Sequence, residues 1–204
     1  MGSLADMAQR GSYAKGIAKR EEILRVALEV VARNGFRATS VKELADAVGL
    51  TQAGLLHYFD SKEELFTAIL RARDDADSAR YAELDDIVDL LLEVIRHNSE
   101  TPGLVQLFAS LSTAATSDPG HAARDYFVER YARLRTDFTA AIERRRADGQ
   151  IAPDVDAATL AGVLVAVSDG MQLQWMLDPG TDMAEHVRLV WQLALRTATV
   201  AAPA

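Results

Sequence analysis

The sequence predicts an all-α protein of about nine helices. Three observations support this fold class. Apolar residues recur at the three- and four-residue spacing of an amphipathic helix along nearly the whole chain. No window longer than a few residues alternates between apolar and polar side chains, as a half-buried strand does. Helix-capping signals also recur, with Ser or Asp three residues before Glu and with glycine after an apolar run.

The first helix is predicted from about Ile17 to Asn34, because its apolar residues share one stripe. Gly35 follows directly and supplies the left-handed conformation in which helices commonly end. Residues 1–15 contain Gly2 and Gly11 and lack this stripe. They are therefore predicted to form a flexible N-terminal arm.

Two short helices should follow. Ser40 and Glu43 have the spacing of a capping box, in which each side chain satisfies a backbone amide of the other residue. They open the second helix, and Gly49 ends it after barely two turns. Thr51 caps a third helix, which is predicted to continue to about Phe59.

The later helices are predicted from the same signals, together with proline at a first helical position. The helix after Asp118 is expected to begin at Pro119 and to end near Asp148. The boundary residues for the whole region are Ser61 with Glu64, Thr101 with Pro102, Asp118 with Pro119, Gly149, Asp156, and Asp182 with Glu185.

The segment Ala157–Leu177 is poor in charge and has about the 20 residues that a membrane span needs. Its second half nevertheless carries Asp169, Gln172 and Gln174. The segment is therefore interpreted as a buried helix of a soluble protein. Because its apolar residues lie nearly all round the helix, it must be covered on several sides, most simply by a partner subunit.

The charge of the chain is unevenly distributed. The net charge is −8, but residues 1–62 carry +2 and the remainder carries −10. This asymmetry indicates an end that faces a polyanion, with ordinary solvated helix faces as the alternative. The absence of cysteine excludes disulfides and thiolate metal sites. No apolar signal-peptide core follows the first basic residues, so a cytoplasmic location is expected.

Residues 40–59 have the spacing of a helix-turn-helix. Ala45 is small where the two helices would cross, and Gly49 lies in the turn. On the second helix, Gln52 is able to bind an adenine edge and Ala53 to contact a thymine methyl group. A plain helical hairpin of a bundle is the alternative.

The run from Gly49 to Leu65, GLTQAGLLHYFDSKEEL, resembles the recognition helix and following cap of the TetR family of transcriptional regulators. The run from Ile23 to Gly49 resembles the same family in register. The resemblance implies a homodimer with a DNA-binding domain at residues 16–62 and an effector-binding and dimerisation domain at residues 63–204. It also implies a palindromic double-stranded operator, and a small-molecule effector that releases a repressor from it. No cofactor, metal, catalytic residue or membrane is expected.

The resemblance places the DNA contacts on the second and third helices and at the start of the fourth. The implied residues are Thr39, Ser40, Lys42, Thr51, Gln52, Ala53, Gly54, His57, Tyr58 and Lys62. Lys62 has independent support, since the free amides of a helix N-terminus attract phosphate. The chain departs from the family at Ala53-Gly54, where Gly then Thr or Ser is common. It departs again at Leu56, where the frequent Tyr would supply a phosphate contact.

Two further sets of residues are expected in the C-terminal domain. The candidate effector site comprises aromatic, sulfur-containing and polar residues, namely His97, Phe108, Arg124, Phe127, Tyr131, Phe138, Met171, Gln172 and Trp175. The candidate dimer interface, on the last two helices, comprises Gly162, Ala166, Gly170, Val187, Trp191 and Leu195. Core packing is the alternative for each effector-site residue.

Catalytic motifs are absent from the sequence: there is no GxSxG, HExxH, P-loop or strand-linked GxGxxG. Two functions remain as alternatives to a DNA-binding regulator. One is a helical interaction module without DNA binding. The other is a small helical metal-dependent hydrolase that uses clustered carboxylates such as Asp85, Asp86 and Asp89. A solvated acidic face is the simpler explanation of that cluster.

Overall fold

The computed structural model describes residues 4–84 and 86–200, with side chains described for 14–84 and 86–195. The described residues form nine α-helices and no strand, so the predicted fold class is confirmed. The helices are α1 Leu4–Asn34, α2 Val41–Ala47, α3 Gln52–Leu56, α4 Lys62–Arg80, α5 Ile87–Glu100, α6 Pro102–Ser117, α7 Arg124–Ala147, α8 Ala157–Leu177 and α9 Met183–Val200.

Most helix ends follow from the local sequence. Gly35, Gly49 and Gly149 all have positive φ angles, of 82°, 68° and 72°, and lie one or two positions past the helices they terminate. Ser40 and Glu43 form the complete capping box that the sequence predicts. At the start of α4, only half of a capping box forms, because Glu64 binds Arg20 rather than the backbone of its own cap.

Three helix boundaries differ from the prediction. The helix α1 begins at Leu4 rather than near Ile17, so residues 4–15 continue the helix instead of forming an arm, and residues 1–3 lie outside the described residues. Alanine, leucine and methionine favour this extension, whereas its glycines oppose it. The helix α3 ends at Leu56, three residues before the predicted end.

The third difference is the start of α7 at Arg124, five residues after Pro119. Residues 118–123 form a turn instead of a helix. Asp118 accepts a hydrogen bond from Gly120 N, and the His121 ring accepts one from Ala123 N. These side-chain bonds satisfy amides that a helix starting at Pro119 would use, so they compete with helix formation.

The buried residues form two hydrophobic clusters. The first cluster joins α1–α4 to α6 and the start of α7, and includes Ile23, Leu55 and Leu107, all 0% exposed. Beside this cluster, Gly103 of α6 lies against the backbone of α1 at Val31. The N-terminal helices therefore share a core with part of the C-terminal region.

The second cluster is built from α5 and α6 together with α7, α8 and α9. By length and composition, α8 is the one helix in the described ranges that is able to cross a membrane. It nevertheless packs between α7 and α9, with Ala161 and Leu164 fully buried. This packing is that of a core helix.

Candidate DNA-binding surface and effector cavity

The turn between α2 and α3 is held by backbone hydrogen bonds. Ala45 O accepts bonds from Val48 N and Leu50 N, at 3.2 and 2.9 Å. The Lys19 ammonium, on α1, donates to Val48 O at 3.2 Å and so fixes the turn against the first helix. These bonds hold the turn that leads into α3 in a fixed position against α1 and α2.

The helix α3 presents one face to solvent. Leu55 is fully buried and anchors α3 on the first core cluster. Gln52, Ala53 and His57 are exposed on the opposite side, where no side-chain hydrogen bond in the described part of the chain holds Gln52. This face has free polar groups and little steric bulk, as contact with base edges requires.

Gly54 and Thr51 form a local cap. Thr51 accepts a hydrogen bond from Gly54 N at 3.0 Å. A Cβ atom at position 54 would lie 3.2 Å from Thr51 Oγ1, which is tighter than an ordinary contact. The close approach that glycine allows is therefore to the cap of its own helix, and no contact with DNA is needed to explain it.

The residues predicted at the start of α2 differ in accessibility. Ser40 and Lys42 are exposed, although the Ser40 hydroxyl caps α2. Thr39 is 6% exposed, and its hydroxyl donates to Gly35 O at 2.8 Å. The burial of Thr39 therefore argues against a DNA contact, because its hydroxyl is already bonded within the turn before α2.

The start of α4 adds a positive group to the same surface. Lys62 is exposed and is the first residue of α4, as predicted. Its ammonium lies 5.8 Å from the centroid of the Phe66 ring. Tyr58 is half-buried and packs edge-on against His57, with ring centroids 6.0 Å apart. The helix N-terminus and the ammonium together favour a phosphate.

The residues predicted to line an effector site do not converge on one cavity. Phe108 and Phe127 pack edge-to-face in the first core cluster, with centroids 5.3 Å apart. His97 binds Glu100 at the surface, and Arg124 is exposed and donates to Ala115 O. Aromatic residues in this chain fill the core, as their large apolar area favours.

The remaining predicted residues are divided among several places. Met171 lines an open groove formed by residues of α8, and Trp175 lies by the loop before α9. Gln172 is buried with its carbonyl oxygen unbonded. Tyr131 donates to Asp169 Oδ2 at 2.6 Å. Of the nine predicted residues, only Phe138 lines the cavity described next.

A cavity of about 180 Å³ lies between α4, α5, α7 and α8. One part of its wall is apolar, and the other carries charged and hydroxyl groups. The apolar residues include Ile87, Leu90, Leu91, Val94, Leu134, Phe138 and Val165. The polar residues are Asp74, Asp77, Ser78, Arg130, Arg133, Asp137, Ser168 and Asp169. Apolar walls with a few polar groups are typical of small-molecule sites.

Asp74 is the centre of a charge network beside this cavity. It binds Arg73 at 2.9 Å and also binds Arg130, and it accepts a hydrogen bond from Tyr126 at 2.8 Å. Burial raises the pKa of Asp74, but the two guanidinium groups and these hydrogen bonds outweigh it, so the pKa lies below its ordinary value. Burial also raises the pKa of Tyr126, to about 12.

We expect Asp74→Asn to lower the free energy of unfolding by about 2 kcal/mol at neutral pH, because it leaves buried guanidinium groups without a counter-charge. The pKa of Asp74 is lower in the folded chain than in the unfolded chain. The contribution is therefore present above the ordinary value of 3.8 and is lost as the pH falls through the lower folded value. Urea unfolding at neutral pH and at about pH 3 measures both effects.

The exposed neighbour Asp75 supplies the control for this prediction. Asp75→Asn should leave the free energy of unfolding within about 0.5 kcal/mol of the parent. An Asp74→Asn variant as stable as Asp75→Asn at neutral pH would contradict the role of the network.

Asp77 and Asp169 differ from Asp74. Burial raises the pKa of Asp77, and the nearby charges of Arg73 and His97 only partly oppose this shift. Burial likewise raises the pKa of Asp169, although the hydrogen bond from Tyr131 opposes it. Each carboxyl group is therefore desolvated without full compensation.

Sequence reasoning missed this cavity, although signals for it exist. Asp169 is an isolated acid in an otherwise apolar helix, and Arg130 lies on the core-facing stripe of α7. A charged residue on a buried stripe indicates a buried partner. The partners lie far away along the chain, with 56 residues separating Arg130 from Asp74.

The outward faces of α8 and α9 expose apolar residues. Leu173 and Leu193 are each 53% exposed, and Leu177 is 90% exposed. Gly162 and Gly170 are half-buried and Ala166 is exposed on this side of α8. We call this surface, with Val163 and Leu189, the α8–α9 face.

Two residues predicted in the dimer interface lie elsewhere. Val187 is 0% exposed and Trp191 is 8% exposed, and both belong to the second core cluster. The Trp191 ring also packs under the Arg145 guanidinium, 5.4 Å from the ring centroid. Both are therefore withdrawn, because their side chains point into the protomer. Leu195 is half-buried beside the same cluster.

The acidic cluster that suggested a hydrolase is explained in part by helix capping. Asp86 Oδ1 accepts hydrogen bonds from Val88 N and Asp89 N at the start of α5. Its other oxygen binds Arg145. Both carboxylate oxygens are therefore occupied by structural contacts, which leaves Asp86 poorly suited to hold a metal ion.

Comparison with known proteins gives two family matches. A model of bacterial regulatory proteins of the tetR family matches residues 23–69. A model of the C-terminal region of BetI-type transcriptional repressors matches residues 82–199. The first match contains α2, α3 and the start of α4, and the second contains α5 to α9 apart from the last residue of α9.

Individual relatives agree with the family matches. The transcriptional repressor AcnR of Corynebacterium glutamicum is 30% identical over 74% of this chain and 78% of its own length. The repressor KstR2 of Rhodococcus jostii is 41% identical, but the match spans 32% of each chain. A regulator from Saccharomonospora viridis, solved in complex with choline, superposes with a TM-score of 0.63 at 24% identity, over 86% of this chain and 94% of that one.

Proposed function

The chain belongs to the TetR family of DNA-binding transcriptional repressors, and we propose that it acts as a homodimer that a small-molecule effector releases from a palindromic operator. The observation that carries the proposal is the exposed, scaffold-held face of α3 beside the positive N-terminus of α4. As a regulator of transcription, it would act in the cytoplasm.

In this proposal, α3 enters the major groove and reads bases through Gln52, Ala53 and His57. Lys62, with Tyr58, binds the phosphate backbone next to the groove. Ser40 and Lys42, which are exposed at the start of α2, contact the DNA backbone. Backbone contacts give affinity at all sequences, whereas base contacts discriminate among them.

Operator selection from random duplexes with the purified full chain tests this function. We expect an enriched palindrome with half-sites about 34–36 Å, or a small multiple of that distance, apart. Binding should weaken steeply as the salt concentration rises. A selection that enriched no palindrome at low salt would refute the repressor proposal.

Two substitutions separate affinity from specificity. Lys62→Ala should weaken binding to all duplexes alike and reduce the slope of affinity against salt by about 1 per half-site. Gln52→Ala should instead reduce discrimination at one base pair by about 1–3 kcal/mol. Fluorescence anisotropy on the selected operator and its single-base variants distinguishes the two patterns. Arg135→Ala, at an exposed position on α7, is the control.

The homodimer is supported by the α8–α9 face. Its exposed leucines would be covered by the same face of a second copy, which a two-fold axis through a palindromic operator requires. Burying this surface is favourable at about 25 cal/mol per Å² of apolar area.

The effector is proposed to bind in the cavity between α4, α5, α7 and α8. The helix α4 runs without a break from Lys62 at the DNA surface to Asp74 and Asp77 at the cavity. With 19 residues, it is about 28 Å long. A ligand that prefers one position of α4 would therefore shift the spacing of the two recognition helices in the dimer.

The Saccharomonospora viridis structure holds choline, which supports a small organic molecule as the effector here. The test is operator release by a bound ligand. A ligand that occupied the cavity and left operator affinity unchanged would refute this mechanism.

A further inference from the structure

Asp77 is a buried acid whose carboxylate makes no hydrogen bond or close ion pair within the described ranges. Its side chain lines the cavity and is 7% exposed. Its backbone carbonyl accepts a hydrogen bond from Tyr81 N, but no described group donates one to the carboxylate. Ser168 lies on the same cavity wall, is also 7% exposed and is likewise without a hydrogen bond among those residues. The carboxylate oxygens of Asp77 and the hydroxyl of Ser168 are not fully buried, so both groups are accessible from the cavity that they line.

The positive groups near Asp77 make their ion pairs elsewhere, and among the described residues Arg73 Nη1 and Arg130 Nε are buried without a hydrogen-bond partner. Arg73 and Arg130 bind Asp74, and Arg133 also lies 3.9 Å from it. Arg80 and His97 contact each other toward the surface, at 3.5 Å. Burial therefore outweighs these cations and raises the pKa of Asp77. The Asp77 carboxylate therefore lacks a hydrogen bond from a positively charged donor.

The other carboxyl groups of the cavity have the same sign of imbalance. Asp169 accepts from a neutral tyrosine hydroxyl, whereas Asp137 is exposed to solvent and has no ion pair among the described residues. Four carboxyl groups line the cavity with two guanidinium groups, and both guanidinium groups lie beside Asp74. A cation would be favoured here and an anion repelled.

The apolar residues of the cavity wall indicate which kind of cation would fit. Leucine, isoleucine and valine side chains from α5, α7 and α8 would suit an apolar tail. Among the described lining residues, Phe138 is the single aromatic ring. Quaternary ammonium ions are typically held by cages of several rings, and they carry no N–H group to satisfy an acceptor.

We propose that the effector is a protonated primary or secondary amine with an apolar tail, and that its ammonium donates hydrogen bonds to Asp77 and Ser168. This inference rests on the proposed function, because it takes the cavity as the effector site. Charge-assisted bonds of an ammonium to a carboxylate are about twice as strong as neutral ones, so Asp77 should dominate recognition.

Calorimetric titration of the full chain with four probes tests the class of ligand. The probes are n-hexylamine, hexyltrimethylammonium, hexanoate and hexanol, which share a tail and differ in the head group. We expect n-hexylamine to bind at least about tenfold more tightly than each of the others. Tighter or equal binding of the quaternary ion or of hexanoate would overturn the proposal, and so would an absence of amine binding.

Substitutions test which residue binds the ammonium. Asp77→Asn should weaken n-hexylamine binding at least about tenfold and leave hexanol binding unchanged. Ser168→Ala should weaken amine binding about fivefold. Asp75→Asn, on the exposed side of α4, is the matched control and should bind like the parent. Amine binding that Asp77→Asn left intact would overturn the assignment.

Folding and function are checked separately. Asp77→Asn removes a desolvated acid, so the variant should unfold at a urea concentration no lower than the parent does. Operator binding without ligand tests the repressor function independently of any amine. If the operator binds and no amine does, the ligand class is wrong. If the amine binds and the operator is not released, the cavity assignment stands and the release mechanism fails.

Discussion

Replacing Gly103 with alanine should lower the free energy of unfolding by about 3 kcal/mol or more. A Cβ atom at this position would lie 2.0 Å from Val31 O and 2.8 Å from Gly35 Cα. Both neighbours are backbone atoms, so no side-chain rotation relieves the overlap. The helices α1 and α6 must move apart, which opens the first core cluster, to which both helices contribute.

Urea unfolding followed by circular dichroism measures this effect, at one fixed protein concentration because a dimer's stability depends on it. Gly16→Ala is the matched control. Gly16 also lies in a helix, but a Cβ there would meet no atom within 4 Å. That variant should be stabilised by up to about 1 kcal/mol, since alanine favours a helix. Equal midpoints for Gly103→Ala and the parent would contradict the packing.

The double substitution Leu173→Glu with Leu193→Glu should convert the proposed dimer to a monomer and weaken operator binding about a hundredfold or more. Both leucines are 53% exposed in the protomer, so glutamate is tolerated there without loss of the core. In the dimer, the same change would bury four like charges at the α8–α9 face, which is strongly unfavourable. Two half-sites would then be bound independently, and the gain from linking them is lost.

Sedimentation velocity measures the oligomeric state, and anisotropy on the selected operator measures the affinity. Val128→Glu is the control, since Val128 is an apolar residue on α7 that is 58% exposed and lies outside the α8–α9 face. It should remain dimeric. A double variant that stayed dimeric and bound the operator normally would place the interface elsewhere.

Local chemistry explains which helix boundaries could be predicted from the sequence. The capping box of Ser40 and Glu43 and the positive-φ glycines depend on residues a few positions apart, and they form as predicted. The start of α7 could not be predicted in this way. There, the Asp118 and His121 side chains bind backbone amides and delay the helix until Arg124, which is a competition that no capping signal reveals.

The cavity and the dimer surface depend on contacts between distant segments. Asp77 and Ser168 line the same cavity only because α4 and α8 both border it. On α9, apolar residues lie on two sides of the helix, and helical periodicity does not show which side faces inward. Val187 enters the core, whereas Leu193 of the other stripe faces solvent. The predicted interface residues Val187 and Trp191 therefore lie on the stripe that packs on α5 and α8.

The first core cluster crosses the boundary between the operator-binding helices and the rest of the chain. Leu55 of α3 and Leu107 of α6 belong to it, and α1 packs on both α4 and α6. A hybrid regulator made by exchanging residues 16–62 with those of a relative would therefore have its seam inside a packed core. Such hybrids should require the donor's α4 and the facing side of its α6 as well. In this protein, operator specificity therefore cannot be transferred by exchanging the DNA-binding helices alone.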